Sequence, residues 1–149
     1  MLLLGSRPVA TVRAYLTALN ELMQHFRAQQ SGRTKEIQFQ VQRMKKAPPG
    51  AQRHRIRREI RTLTAEDNEE TIELRRRLAA LSPPVPLAAA HMALIGALDE
   101  MIGANGERLA ARVAGDKAAA ARARERSLQA MASWRSAGEE LRNLGKAIH

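Results

Sequence analysis

Lys35-Glu36-Ile37-Gln38-Phe39-Gln40-Val41-Gln42-Arg43-Met44-Lys45-Lys46-Ala47-Pro48-Pro49-Gly50 decides whether this chain is all-helical or carries a sheet. Ile37, Phe39 and Val41 alternate with glutamines, the period of a half-buried strand, yet Ile37, Val41 and Met44 also share one helical face. A strand here would pair only with the segment beyond the turn, and a lone two-stranded hairpin is marginal in water. The flanking sequence is helical, so helix is the reading taken, with a β-hairpin over 35–62 as the alternative. Ala47-Pro48-Pro49-Gly50 is the clearest turn in the chain.

Upstream, Val12, Tyr15/Leu16, Leu19, Leu22/Met23 and Phe26 recur at three- and four-residue steps, and Pro8 suits a first helical turn after Gly5-Ser6. Downstream, Ile56, Ile60 and Leu63 point inward. At Thr64 the pattern restarts in a Thr64-x-x-Asp67 capping-box arrangement followed by Leu74, Leu78 and Leu81. One continuous helix and two helices meeting near Thr64 both fit. Ser82-Pro83-Pro84-Val85-Pro86 ends this element and opens the next. A third stripe runs through Leu87, His91, Leu94, Leu98, Met101/Ile102, Leu109 and Val113. Gly115-Asp116 reads as a C-terminal glycine followed directly by an N-cap, and the last stripe is Leu128, Met131, Trp134, Leu141, Leu144 and Ile148.

Four helices at about 8–46, 51–81, 84–114 and 116–147, with short connections, predict an all-α, antiparallel up-down-up-down four-helix bundle in a single domain. Helices of about thirty residues make a rod ~45 Å long. The chain of 149 residues has no cysteine and only four aromatic residues besides histidine, a composition suited to helices rather than to a sheet. Met1–Leu4 is too short to span a membrane, and no other segment reads as a span. As it stands the chain is expected to be soluble, with the cytoplasm favoured over the envelope. A start codon further upstream would instead make Leu2–Leu4 the end of an anchor.

Charge is the functional signal. Between Arg43 and Arg61 stand eight cations, Arg43, Lys45, Lys46, Arg53, Arg55, Arg57, Arg58 and Arg61, against one acid, Glu59. That surplus is seven of the formal +10. Residues 103–127 hold six cations, among them Arg112, Lys117 and Arg122, against three acids, and the rest of the chain is balanced. In an up-down bundle both turns share one end, so the whole surplus collects at one pole and aims at an anionic partner, whether nucleic acid, acidic protein or anionic surface. A merely solvated Arg-rich face is the plain alternative. The set of polyanion-binding candidates is the eight tip residues with Arg112, Lys117 and Arg122. By the helical rise, Gly32, Thr64 and Asn105-Gly106 fall at a similar height, a polar layer that reads as a hinge, a small polar pocket or a tolerated irregularity.

No catalytic, cofactor or metal signature is present. There is no Glu-x-x-His, G-x-S-x-G, H-E-x-x-H, P-loop or dinucleotide-binding glycine fingerprint, and Glu21-x-x-x-His25 is a single pair. His91 on an apolar face reads as a hydrogen-bonded core histidine. Neither an enzyme nor a cofactor is expected. Aromatic interleaving for single strands and helix-turn-helix or zinc-finger spacing are also missing. The Ala-rich faces of the third and fourth helices would suit packing against another copy of the chain.

Leu81-Ser82-Pro83-Pro84, then His91 and Leu94, then an Ala-rich helical pair broken at Gly115-Asp116, resembles a pattern in many uncharacterised bacterial helical proteins of the cell envelope. The likeness spans roughly residues 81–138. It implies a bacterial helical bundle and an envelope location, and it implies no activity and no site residue. Those proteins often carry a preceding membrane or lipoprotein anchor, whereas this sequence lacks a lipobox cysteine. The second functional expectation is therefore an envelope structural or interaction protein whose N-terminal anchor is missing from this sequence.

Overall fold

The computed structural model describes residues 7–148, with side chains from 11 to 147; Met1–Leu4, the Gly5-Ser6 helix start and His149 lie outside the described residues. Four helices pack together: α1 (Arg7–Lys46), α2 (Ala51–Ala79), α3 (Ala88–Ala114) and α4 (Lys117–Ile148). A 3-10 turn, Val85–Leu87, leads into α3. Residues 35–46 and 51–62 are helical throughout, which removes the hairpin alternative. Among the described residues there is no strand.

The turns follow from local chemistry. Gly50 takes φ +123°, a conformation that other residues rarely adopt, in the turn that joins α1 to α2. Gly115 is left-handed at φ +71°; its N–H donates to Arg112 O at 3.2 Å, and the Asp116 N–H donates to Ala111 O at 2.9 Å. This pair of hydrogen bonds closes α3. Asp116 then caps α4, its Oδ1 accepting the Ala119 N–H at 3.0 Å. Thr64 caps nothing. Its hydroxyl donates to Ile60 O at 2.7 Å, one turn back along an unbroken α2, and Thr71 donates likewise to Asp67 O at 3.0 Å. Bonding back to the preceding turn lets a hydroxyl residue sit inside a helix.

The shared core gathers Val12, Tyr15, Leu19 and Phe26 of α1 with Leu74 and Leu78 of α2, Leu87, Leu94, Ile95 and Leu98 around the start of α3, and Ala137 and Leu141 near the end of α4. Away from that core the pairs differ in kind. The register of Val12, Leu19 and Phe26 continues at seven-residue steps into Arg33 and Gln40, so polar side chains occupy the α1–α2 seam. Buried Gln40 is satisfied on its own helix, donating to Glu36 at 3.2 Å and accepting from Arg43 at 3.2 Å. Between α3 and α4 the buried positions are alanines, Ala97, Ala104 and Ala111 on one helix and Ala123, Ala130 and Ala137 on the other.

That alanine seam corrects the sequence reading of the last two helices. Val113 (67 % exposed), Leu128 (51 %) and Met131 (37 %), expected on the buried stripes, face outward. Small side chains repeated every seven residues let two helices approach closely, and larger neighbours are turned to the flanks. Of the alanines on these two helices, those at the seam are buried within the chain, while Ala89, Ala93, Ala110, Ala118, Ala121 and Ala132 are exposed. A second difference concerns membrane spans. Val85–Ala114 is long and apolar enough, by length and composition, to cross a membrane, with just under half of its most apolar window buried here.

Candidate polyanion-binding surface

The α1–α2 tip is built from the last turn of one helix and the first turns of the next. Arg43, Lys45 and Lys46 end α1, where the helix dipole favours cations. The opposite holds at the start of α2. No acid stands in its first turn, and Gly50 offers no side-chain cap, yet Arg53, Arg55, Arg57 and Arg58 follow within the first eight residues. Cations at a helix N-terminus oppose the dipole and crowd one another, so this arrangement costs stability. Ile56 and Ile60 turn inward. Arg55, Arg57 and Arg58 are consequently exposed, as are Arg43, Lys45 and Lys46, while Arg53 and Arg61 are half-buried. The Arg53 Nε is buried without a hydrogen-bond partner.

The ion pairs lie elsewhere. Arg33 faces Glu66, Asp67 and Glu70 across the α1–α2 seam, with its closest contact to Glu70. Burial raises the Asp67 pKa, opposed by the charge of Arg33. Arg76 and Arg77 hold the Glu73 carboxyl down at about 2. Arg75 reaches Asp99 at 2.7 Å, and Arg126 binds both Glu100 and Glu107. Among the described residues no ion pair uses any side chain between Arg43 and Arg61. The tip surplus is left without internal compensation.

The polar layer expected near Gly32, Thr64 and Asn105 is real but differently made. Its members are the Arg33 ion-pair cluster and a contact from Asn105 Nδ2 to Asn68 Oδ1 at 3.5 Å. A small cleft of about 100 Å³ lies beside it, lined by His25, Phe26, Glu70, Glu73 and Arg77. Among the described residues no group of three or more His, Asp or Glu could hold a metal ion. His91 is buried, and its Nδ1 shares a 2.6 Å hydrogen bond with the Tyr15 hydroxyl.

On the second hairpin, Arg112 meets Arg108 and Arg124 at an open groove, whereas Lys117 and Arg122 are exposed outside it. Arg108 and Arg124 were not among the sequence-derived site residues. Only the packing of α3 on α4 gathers them, although the i, i+4 spacing of Arg108 and Arg112 already places those two on one face. Compared with known proteins, the chain matches no family model, no curated protein and no solved structure. Function has to be argued from these residues.

Proposed function

We propose that this protein is a non-catalytic, antiparallel up-down-up-down helical bundle that binds an anionic macromolecule through its basic α1–α2 tip. The observation that carries this reading is the uncompensated tip: eight cations, no ion pair to them among the described residues, and part of the set placed against a helix dipole. Surface charge kept at a cost to stability is what a binding surface requires.

The up-down course is supported by the cross-helix pairs. Arg33 meets Glu70, Arg75 meets Asp99, Asn68 meets Asn105, and Arg126 meets Glu107, each pair joining successive helices at complementary distances from their turn. A Cβ on Gly145 would lie 2.7 Å from Leu16, which brings the end of α4 to the beginning of α1. On this course both turns share one end. From the Asn68–Asn105 contact, α2 runs ~25 Å to its first residue and α3 ~14 Å to its last, so the α1–α2 tip projects ~10 Å further.

Lysine and arginine at such a tip neutralise backbone charges, giving salt-dependent affinity without sequence reading. Fluorescence anisotropy with a labelled DNA duplex, and retention on heparin, test the reading. R55E/R57E/R58E is expected to abolish both while helicity is kept and the melting temperature does not fall. Unchanged heparin retention in that variant would overturn the proposal.

A further inference from the structure

A second basic feature, built differently from the tip, lies between α3 and α4. Arg108 and Arg112 stand one helical turn apart on α3, and Arg124 joins them from α4 around an open groove of about 460 Å³. Ala120 and Ala121 line the same groove with only methyl groups, which leaves room between the guanidiniums. One carboxylate, Glu125, also lines it. None of the three arginines takes part in an ion pair or a side-chain hydrogen bond among the described residues. Their neighbour Arg126 shows what a structural arginine does here, since it reaches two carboxylates. Burial, and then the charges of Arg112 and Arg124, lower the Arg108 pKa, and burial also lowers that of Arg112. The buried α3–α4 seam is alanine and offers these cations no carboxylate.

We propose that this groove is a binding site for an oligophosphate, whose oxygens would be shared among the forks of Arg108, Arg112 and Arg124. Planar guanidiniums match phosphoryl oxygens two at a time, and three converging cations suit a chain of phosphates better than a single carboxylate. No aromatic side chain lines the groove, so a nucleobase finds no stacking partner. The ligand chemistry is the phosphate chain itself, from inorganic oligophosphate or from a nucleotide tail. The proposal does not rest on the function of the α1–α2 tip.

Isothermal titration of the full chain with inorganic tripolyphosphate, ATP and adenosine, in about 50 mM NaCl, tests it. Tripolyphosphate and ATP should bind one per chain with affinities within about threefold of each other, and adenosine should not bind. R108Q/R124Q should weaken tripolyphosphate by about tenfold or more, while the charge-matched K117Q/R122Q and the tip variant R55E/R57E/R58E stay within about threefold of the parent. Without ligand, R108Q/R124Q should melt at or above the parent temperature, because it relieves repulsion; a structural role would lower it. Should that double variant fail to fold, R112Q alone carries the test, with a loss of about threefold or more expected. Absence of binding, an equal loss in K117Q/R122Q, or ATP binding about tenfold tighter than tripolyphosphate would overturn the proposal.

Discussion

Burial sets the protonation of the Tyr15–His91 pair. Burial pushes the Tyr15 phenol up to about 12, so it stays protonated, and its oxygen shares a 2.6 Å hydrogen bond with His91 Nδ1. Burial also lowers the His91 pKa, which favours the neutral ring. The two rings also meet edge to face, with centroids 5.5 Å apart. Tyr15→Phe keeps the ring but leaves the buried His91 Nδ1 without its partner, and should cost about 1–3 kcal/mol in denaturant unfolding. Linkage gives the pair a second consequence. A histidine whose pKa is lower folded than unfolded takes up its proton preferentially in the unfolded state, so its contribution to stability falls as pH drops below the ordinary value of 6.5. The melting temperature should therefore decline from pH 7 to pH 5, and the decline should be shallower in His91→Gln, measured by circular dichroism across that range.

Among the elements, α2 is the most conflicted. Its first turn holds a cation, Arg53, where the dipole wants acids, and its acids sit further along, facing Arg33 and Arg76. Gln52, exposed in that first turn, isolates the conflict. Gln52→Glu should raise stability by about 0.3–1 kcal/mol through the dipole, and it should weaken polyanion binding by lowering the tip potential. Urea unfolding alongside heparin elution measures both, and a stabilised variant with unaltered elution would separate Gln52 from the surface. Much at this scale was legible beforehand: the Pro48-Pro49-Gly50 turn, the Gly115-Asp116 pair of caps, and Ile56 and Ile60 as inward positions all follow from local rules. What escaped was set by partners. Alanines at seven-residue steps carry a weak hydrophobic signal, so Leu128 and Met131 read as buried although packing leaves them exposed, while Trp134, Leu141 and Leu144 of the same stripe do join the core. Arg33 carries no local signal, because its three acids belong to another helix. The Arg108–Arg112–Arg124 groove likewise exists only once α3 lies on α4.

For the whole molecule, the separation of paired from unpaired charge has a measurable signature in salt. The formal net charge is +10, and the tip contributes seven of it without an internal counterion. Like charges held close together in the folded chain repel, and the repulsion eases when unfolding spreads them apart. Raising NaCl from about 10 mM to 150 mM shortens the screening length from ~30 Å to ~8 Å, which weakens repulsion across the tip. Exposed ion pairs such as Arg75–Asp99 weaken too, but each contributes little and their loss is the smaller effect. Melting temperature should therefore rise over this salt interval while affinity for duplex DNA or heparin falls, the two trends being driven by the same side chains. R55E/R57E/R58E, which takes the formal net charge from +10 to +4, should flatten both. If the variant loses binding but its melting keeps the parent's salt dependence, the repulsion resides elsewhere, with the Arg108 groove the first place to look. If melting falls with salt in the parent, the exposed ion pairs outweigh the tip and the argument from uncompensated charge fails.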